Sequence, residues 1–383
     1  MKQQYIEHLR SENLGFSTED LNGLISENLL SPFEIQLSND VLEQAKQFVH
    51  SCFSLRESAS YQQFLAPEIV QRGLKDPANK SILMSYDFHL DSAGALKLIE
   101  INTNAGFLAM GYEMYRSRKI PLPVADFSME EIRENIFSEL RFQDKEISVP
   151  RVVIIDQEPR SQRLYGEFLI FQHYFCKWGW QAEIKDYRES LEDFDFIYNR
   201  QTDFYFEEPG SQDLRQNFLS RKVCVSPNPF EYLCLADKQR MIDWCNDEFW
   251  SQMGAAQSFK AVIQKNLPIT KDVTAATAEE IWSLRKKLFL KPKRAFGSKQ
   301  SYKGASISRR AFEELLAQDF VAQEYVQAPE QKFMTPMGEQ SFKYDLRFYV
   351  YQNRVQMAIA RVYQGQVTNL RTPFGGFAPV RFG

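Results

Sequence analysis

The sequence predicts a mixed α/β (α+β) protein with more than one domain. Between residues 151 and 226, short apolar strands alternate with an aromatic-rich helix, as in a parallel sheet covered by helices. Two hairpins with period-two patterning lie outside that region, at residues 84–102 and 343–362. The chain has 383 residues, of which 44% are hydrophobic, so it can bury the cores of about two or three domains.

Composition argues against several classes of protein. The chain carries 46 Lys and Arg against 50 Asp and Glu, so no global basic excess indicates a nucleic-acid partner. Five cysteines without a Cys-x-x-Cys pair fit a reducing compartment, and four scattered histidines do not indicate zinc. The polar start and the lack of an 18-residue apolar run predict a cytoplasmic protein without a membrane partner.

The hairpin at residues 84–107 carries the clearest chemical signal. A turn at 91–94 joins two strands, so Asp87 and Glu100 face each other. Asn102 lies two residues beyond Glu100, and the strand period places both side chains on one face. Two carboxylates and an amide oxygen suit a magnesium ion. A surface hairpin with an exposed carboxylate is the alternative that this stretch alone leaves open.

The spacing of Asp87, Glu100 and Asn102, followed by Thr-Asn-Ala-Gly, resembles the magnesium signature of ATP-grasp ligases, the superfamily of glutathione synthetases and D-alanine ligases. In most of that superfamily the signature comes last. Its place in the first third of this chain resembles the circularly permuted branch that includes eukaryotic-type glutathione synthetase. The resemblance covers about 40–107 and 150–383 and implies a circularly permuted ATP-grasp fold with ATP and Mg²⁺ as cofactors.

That resemblance divides the chain into five parts. A permuted core requires the segment after Gly375-Gly376 to lie near the start of the helix predicted from Asp40 onward. The parts are an N-terminal helical cap at 1–39, the C-terminal part of the ATP-grasp core with the metal hairpin at 40–125, an α/β substrate-binding domain at 126–230, a small or lid subdomain at 231–322, and the hinge and core hairpin at 323–383.

The strongest electrostatic feature is the segment 285–310, which has ten basic residues and no acidic one. Such a field attracts polyphosphate or nucleic acid. An apolar strand delivers Lys291, and a loop with Gly and Ser follows, whose backbone N–H groups can cover phosphates. Resemblance to the strand Lys-Pro and covering loop of ATP-grasp folds implies nucleotide binding by Lys291, Ser298 and Lys303. Ala295 stands where some eukaryotic-type glutathione synthetases carry a metal-binding Glu.

Two further segments resemble nucleotide-binding elements of the superfamily. Lys238 resembles a Lys that reaches the phosphates, although one Lys on a helix is usually a solvated charge. The apolar strand at 320–326 resembles the hinge whose backbone pairs with adenine, and a buried strand with a polar edge is the alternative. Glu324 or Glu330 could reach ribose, and the sequence does not choose between them. The implied hinge contacts are Gln323, Glu324, Tyr325 and Val326.

The remaining site residues are arginines and one asparagine. By resemblance to the Asp-x-Arg, Arg and Asn elements of the superfamily, Arg347 and Arg361 join Lys291 in a catalytic role and Asn369 contacts substrate. Arg200 ends a strand, where side chains of an α/β sheet project into a ligand crevice, and could hold a substrate carboxylate as a bidentate fork. A surface ion pair is the equally open alternative for Arg200.

These elements together imply an ATP- and Mg²⁺-dependent carboxylate–amine ligase that works through an acyl phosphate. Its substrates would be an amino acid, peptide or similar small carboxylate, and an amine. An ATP-grasp-type phosphotransferase and a non-catalytic nucleotide-binding module are the alternatives, whereas the acidic remainder of the chain disfavours single-stranded nucleic acid. A homodimer is compatible with the sequence, which decides neither the oligomeric state nor the substrates.

Overall fold

The computed structural model of the protein describes residues 1–12, 16, 18–294 and 301–383. Its helices are α1 (Lys2–Ser11), α2 (Thr18–Leu24), α3 (Asn39–Glu57), α4 (Ala59–Gln71), α5 (Leu108–Arg118), α6 (Met129–Phe142), α7 (Tyr165–Lys177), α8 (Gln212–Ser220), α9 (Pro229–Glu231), α10 (Gln239–Cys245), α11 (Asp247–Ser251), α12 (Lys260–Asn266), α13 (Ala278–Leu284) and α14 (Arg309–Leu315). Its strands are β1 (Ile35–Leu37), β2 (Met84–Leu90), β3 (Leu96–Asn102), β4 (Arg151–Asp156), β5 (Gln181–Asp186), β6 (Phe196–Asn199), β7 (Cys224–Ser226), β8 (Thr270–Asp272), β9 (Leu288–Pro292), β10 (Tyr302–Lys303), β11 (Phe320–Glu324), β12 (Glu330–Thr335), β13 (Gly338–Tyr351), β14 (Arg354–Tyr363) and β15 (Gly376–Phe382).

The largest sheet, called the main sheet, has seven strands. Its order is β1-β15-β14-β13-β2-β3, and β12 pairs with β13. Every neighbouring pair is antiparallel except β1 with β15. The two predicted hairpins, β2–β3 and β13–β14, are confirmed and lie side by side, although a long stretch of chain separates them.

Apolar alternation explains which face of β2 is buried against α3. The rings of Tyr86 and Phe88 pack edge-on against Phe48 of α3, with centroid separations of 6.1 and 5.5 Å. Successive strand side chains point to opposite faces of a sheet, so Asp87 lies on the other face. That other face carries the candidate site.

The second sheet, called the α/β layer, has the order β5-β4-β6-β7 with all neighbours parallel. The residues from Val152 to Ile155 in β4 are completely buried, which is the pattern of a parallel strand covered on both faces. Helix α7 packs against β4 and β5. The strand–helix–strand pattern predicted from residue 151 onward is therefore confirmed.

The third sheet, called the small sheet, has the order β10-β9-β11-β8 and is antiparallel throughout. With α13 and α14 it encloses a hydrophobic core that is separate from the core of the other sheets. Ile281, Leu290 and Phe312 lie almost completely buried in this smaller core. The helices at 231–267 pack into the larger core instead, so the predicted lid unit, 231–322, divides between two cores.

Because the small sheet has a core of its own, we expect an Ile→Val substitution in either core to destabilise only the sheet that it supports. Removing one methyl group from a buried Ile costs about 0.5–1.5 kcal/mol. Ile281→Val should therefore speed amide hydrogen exchange in the small sheet and leave the main sheet unchanged, because distinct cooperative units open independently. Ile359→Val, in the larger core, is the matched control and should show the reverse. Equal acceleration in both sheets by Ile281→Val would contradict the separation.

The outermost strands of the main sheet bring two distant segments of the chain together. In the parallel β1–β15 ladder, Leu37 is the partner of Phe382, and α3 begins directly after β1. The predicted proximity between the segment after the glycine pair and the start of this helix is therefore confirmed. The segment 1–39 was predicted to be helical, but its residues 35–37 form strand β1. Three residues are too few for a periodic pattern to reveal a strand.

The sequence from Phe230 to Trp244 predicts one continuous helix, but the structure interrupts it at Asp237. The Asp237 carboxylate accepts hydrogen bonds from the Tyr205 hydroxyl at 2.6 Å and from the Gln239 N–H at 2.9 Å. It thus caps α10, which begins at Gln239, and its own backbone is extended. Lys238 consequently lies at a helix start and not in the middle of a helix.

The apolar residues at 305 and 307 predict a short strand after the loop, and that prediction is wrong. Residues 304–306 form a tight 3-10 turn, and the strand next to β9 is the shorter β10. A Cβ atom on Gly304 would lie 2.2 Å from the Arg285 carbonyl oxygen, so this backbone approach admits only glycine. The turn follows from that close approach, which apolar patterning does not reveal.

Across the described ranges of the chain, no helix combines the length and the apolar character that crossing a bilayer requires.

Candidate functional site

A cavity of about 400 Å³ lies between the main sheet and the small sheet. Its walls come from β2, β3, β13 and β14 on one side and from β9 and β11 on the other. Side chains that the sequence analysis took from distant segments meet in this cavity. The predicted residues on its walls are Asp87, Glu100, Lys238, Lys291, Gln323, Glu324, Tyr325, Val326, Arg347, Arg361 and Asn369.

A β-bulge in β3 aims Glu100 into the cavity. Phe88 pairs with Leu98 and Asp87 pairs with Glu100, so Ile99 is an extra residue on β3. Without the bulge Glu100 would share the buried face of Leu98, because strand side chains alternate. The predicted pairing of Asp87 with Glu100 is confirmed, whereas the unbroken alternation assumed for this strand is wrong.

The bulge also exposes a carbonyl that Lys291 binds. Lys291 Nζ lies 3.1 Å from the Ile99 carbonyl oxygen and 2.8 Å from Gln323 Oε1. Burial lowers the pKa of Lys291 to about 8, with the Glu100 charge opposing the shift. Lys291 is therefore held rigidly beside Glu100 at the bottom of the cavity, as a fixed and partly desolvated cation.

Asp87 is completely buried and holds two arginines. Arg347 Nε and Nη2 donate to its two oxygens at 2.8 and 2.7 Å, and Arg361 Nη2 donates to Oδ2 at 2.8 Å. Burial opposes ionisation of Asp87, but the two guanidinium groups outweigh it and lower its pKa to about 2. Arg361 Nε also donates to Asp345 Oδ1 at 2.6 Å, so the four groups form one ionic network.

The donor set for a divalent cation is smaller than the sequence predicted. Glu100 makes no hydrogen bond or ion pair with any other described residue, and Asn102 uses only its Nδ2, which donates to Asp87 Oδ2 at 3.3 Å. Asn102 is not among the residues that line the cavity, and the oxygens of Glu100 and Asn102 have the donor chemistry of a Mg²⁺ that takes its other ligands from water and phosphate. Asp87 does not fit, because guanidinium groups occupy both of its oxygens. Among the described side chains, no three His, Cys, Asp or Glu residues are grouped to hold a metal ion.

Most of the described basic residues in the segment 285–310 lie outside the cavity lining. Lys293 forms ion pairs with Asp272 and Asp319, each at 3.0–3.1 Å, within the small sheet. Lys303 lies outside the cavity lining, with Nζ 4.5 Å from the centre of the Tyr325 ring. Lys291 is the member of this segment that reaches the described cavity. Ser298, predicted to bind phosphate, lies outside the described residues.

The hinge segment presents both rings and backbone to the cavity. Phe289 and Tyr325 line it with rings stacked at a centroid separation of 6.3 Å. The Val326 carbonyl accepts a hydrogen bond from His89 Nδ1 at 2.8 Å, and its N–H has no partner within the described part of the chain. An apolar, partly aromatic wall with a free backbone donor suits a flat heterocycle such as adenine.

Two predicted substrate residues have other partners. Arg200 does not line the cavity, and its Nη1 donates to the Asn104 carbonyl, which secures the loop after β3. Asn369 lies at the cavity wall, but its Oδ1 accepts from the N–H groups of Arg371 and Thr372, and its Nδ2 donates to the Gln364 carbonyl. Both residues therefore shape loops here, and their roles toward substrate stay predictions.

Several residues of the cavity were not among the predicted site residues. Asp345, which positions Arg361, is the cross-strand partner of Arg361, and Arg347 is the partner of Asp87. The first pairing could have been predicted from the hairpin register, whereas the second joins strands far apart in sequence. His89 and Arg163 also line the cavity, and no sequence signal distinguished them from surface residues.

The fold has a counterpart among solved structures. The chain superposes on a glutathione synthetase-like effector from Globodera pallida in its apo form with a TM-score of 0.61 and 11% identity, over 100% of this chain and 96% of that one. The fold is therefore glutathione synthetase-like. A Methylobacillus flagellatus protein with the proposed identity of gamma-glutamylcysteine synthetase matches at a TM-score of 0.44 and 10% identity, over 84% of each chain. No family model and no curated protein matches the sequence.

Proposed function

We propose that this protein is an ATP-dependent carboxylate–amine ligase with a circularly permuted ATP-grasp core. It would phosphorylate the carboxylate of an amino acid, peptide or similar small acid, and an amine would then displace the phosphate. The observation that carries the proposal is the cavity between the two sheets. Arg347 and Arg361 lie there in one ionic network with Asp87, and Lys291 lies on the wall beside Gln323, opposite an aromatic wall with a free backbone N–H.

The permutation rests on the order of elements in space. The β2–β3 hairpin pairs with β13, although it precedes β13 by most of the chain, and β15 pairs with β1 directly before α3. An unpermuted chain would run from β15 through α3 into that hairpin. The domain division inferred from the sequence is part of the same proposal, with the small sheet as the lid.

The residues of the cavity account for the chemistry of phosphoryl transfer. Val326 and the Phe289–Tyr325 wall would bind the base, and Lys291, Lys238 and the two arginines would bind the phosphates. Transfer spreads negative charge over the phosphoryl oxygens, and fixed cations stabilise that charge without reorganisation. The acyl phosphate needs no protein nucleophile, because the amine attacks it directly. Magnesium, when bound by Glu100 and Asn102, supplies further neutralisation of phosphate charge.

Product analysis tests this function. The protein would be incubated with ATP, Mg²⁺ and pooled amino acids and short peptides, and mass spectrometry would search for ADP and a condensed product. A ligase yields ADP, phosphate and a new amide. Formation of a stable phosphorylated alcohol or sugar in a wider pool would indicate a phosphotransferase. Binding of ATP without any turnover across such pools would indicate a nucleotide-binding module.

Nucleotide affinity should fall as pH rises through about 8, because the buried Lys291 loses its proton there. Phosphates bind the protonated amine, so above this pH binding should take up a proton and the association constant should drop by up to about tenfold per pH unit. Calorimetry in buffers of different ionisation enthalpy measures the proton uptake. The uptake should vanish in Lys291→Met, and an unchanged uptake in that variant would assign it to another group.

A further inference from the structure

We infer that this site holds one divalent cation, bound by Glu100 and Asn102, and that Asp87 positions two guanidinium groups in place of binding a second ion. The inference rests on the proposed nucleotide site and specifies its metal content. The sequence implied three metal ligands, of which Asp87 was one. We infer instead that Arg347 and Arg361 supply the positive charge that a second cation would bring.

Asp87 has no capacity left for a metal. Each of its oxygens already accepts from Arg347, and Oδ2 accepts from Arg361 as well. The Ser85 hydroxyl donates to Oδ1 at 3.2 Å, so this buried carboxylate is fully satisfied by protein donors. Moving the arginines away to admit an ion would leave buried charges without their partners, which is strongly unfavourable.

The other carboxylates of the cavity cannot replace Asp87. Asp345 accepts from Arg361 at Oδ1 and from the Thr368 hydroxyl at Oδ2. Glu324 also lines the cavity, but it follows Gln323 on β11, and since Gln323 contacts Lys291, the Glu324 side chain leaves the strand on the other face. Its Oε2 accepts from the Ile269 N–H there.

Glu100 is therefore the one carboxylate on the described cavity walls that is aimed at the phosphate region and free. Residues 13–15, 17 and 295–300 lie outside the described ranges, and their sequence contains no Asp or Glu. The acidic residues whose side chains are not described are Glu19 and Asp20, on α2, which packs against α1 and α7. One free carboxylate with a neighbouring amide oxygen matches the one or two protein ligands that a phosphate-bound Mg²⁺ usually takes.

Arg347 and Arg361 are placed where they can neutralise phosphate charge in place of a second metal ion. Within the described contacts, Nη1 of Arg347 and Nη1 of Arg361 bind no protein group, and both side chains line the cavity. A planar guanidinium held at two of its nitrogens offers its remaining N–H groups in a fixed direction, which suits phosphate oxygens. Asp87 fixes that direction, so it is a positioning residue.

Manganese titration of the full chain with a non-hydrolysable ATP analogue, followed by electron paramagnetic resonance, tests the inference. We expect one tightly bound Mn²⁺ per protein–nucleotide complex. Glu100→Gln should weaken that ion by more than about tenfold, whereas Asp87→Asn should leave its affinity within about threefold of wild type. Two tight ions in the wild type, or equal weakening by both substitutions, would overturn the inference.

Calorimetry of the analogue in EDTA separates positioning from general structural support. Wild type should bind the analogue without metal, and Asp87→Asn should lose about tenfold in this metal-free affinity at an unchanged Mn²⁺ count, although its melting temperature should fall because two buried guanidinium groups lose their counter-charge. Unaltered metal-free binding in Asp87→Asn would refute the positioning role. If Asp87→Asn does not fold, the wild-type count still decides the number of ions. An analogue that does not bind the wild type with or without Mn²⁺ would refute the proposed function itself, whereas two ions on a bound analogue would refute only the inference.

Discussion

Replacing Glu100 by Gln should lower turnover about 1,000-fold while the protein stays folded. The substitution keeps the shape of the side chain and removes the negative charge that a phosphate-bound Mg²⁺ would contact. No described hydrogen bond or ion pair depends on Glu100, so the free energy of unfolding should stay within about 0.5 kcal/mol of wild type. Steady-state ADP formation and urea denaturation measure the two quantities.

The control for this variant is Glu134→Gln, on α6, where the side chain is exposed and outside the cavity lining. It should leave turnover unchanged. Asn102→Ala should also reduce turnover, by less than Glu100→Gln, because an amide oxygen contributes no charge. Near-normal activity in both Glu100→Gln and Asn102→Ala would remove the metal assignment, and loss of folding in Glu100→Gln would give this residue a structural role instead.

Replacing Lys291 by Met should weaken ATP binding by about 100-fold, because it removes a fixed cation from the bottom of the cavity. Hydrogen bonds to the Ile99 carbonyl and to Gln323 hold the ammonium group in place. The Lys291 side chain therefore loses little conformational entropy when the ligand binds. Methionine keeps the length of the stem, and calorimetry with ATP in the presence of Mg²⁺ measures the loss.

Two other lysines of the same basic segment test whether the position of Lys291 or the total charge of the segment determines nucleotide affinity. Lys286 is exposed on the surface and should be replaceable by Ala without effect. Lys303 lies over the Tyr325 ring, so Lys303→Ala should weaken binding less than Lys291→Met. Equal losses in all three variants would mean that the general field of the segment, and not the placement of Lys291, attracts the nucleotide.

Local patterns predicted most of the secondary structure. Period-two alternation identified β2, β3, β13 and β14, and the continuous apolar run at 151–156 identified β4, because each pattern reflects one or two buried faces of a strand. The predictions failed where a side chain or a backbone contact far away decides the local conformation. The Asp237 carboxylate that caps the start of α10 and the packing of Gly304 on Arg285 are two such places.

The ligand set of the site was predicted only in part, because the sequence analysis treated Asp87, Glu100 and Arg347 separately. It placed Asp87 and Glu100 as cross-strand neighbours, and that is confirmed. It could not show that Arg347 would be the other neighbour of Asp87, since β2 and β13 are joined only in the folded sheet. A buried carboxylate flanked by two arginines is satisfied by them, whereas the same carboxylate at an open edge would be free for a metal.

The sequence by itself determined the mixed α/β class, the two hairpins of the main sheet, the parallel layer and the concentration of basic charge near Lys291. These follow from the spacing of apolar and charged residues along short segments, because the period of a strand or a helix places regularly spaced residues on one face of that element. The tertiary structure decided which polar residues share a face. The strand register pairs Asp87 with Arg347, and a hydrogen bond joins Asp87 to Arg361. The bulge at Ile99 aims Glu100 inward, and all of these depend on contacts that chain order does not specify.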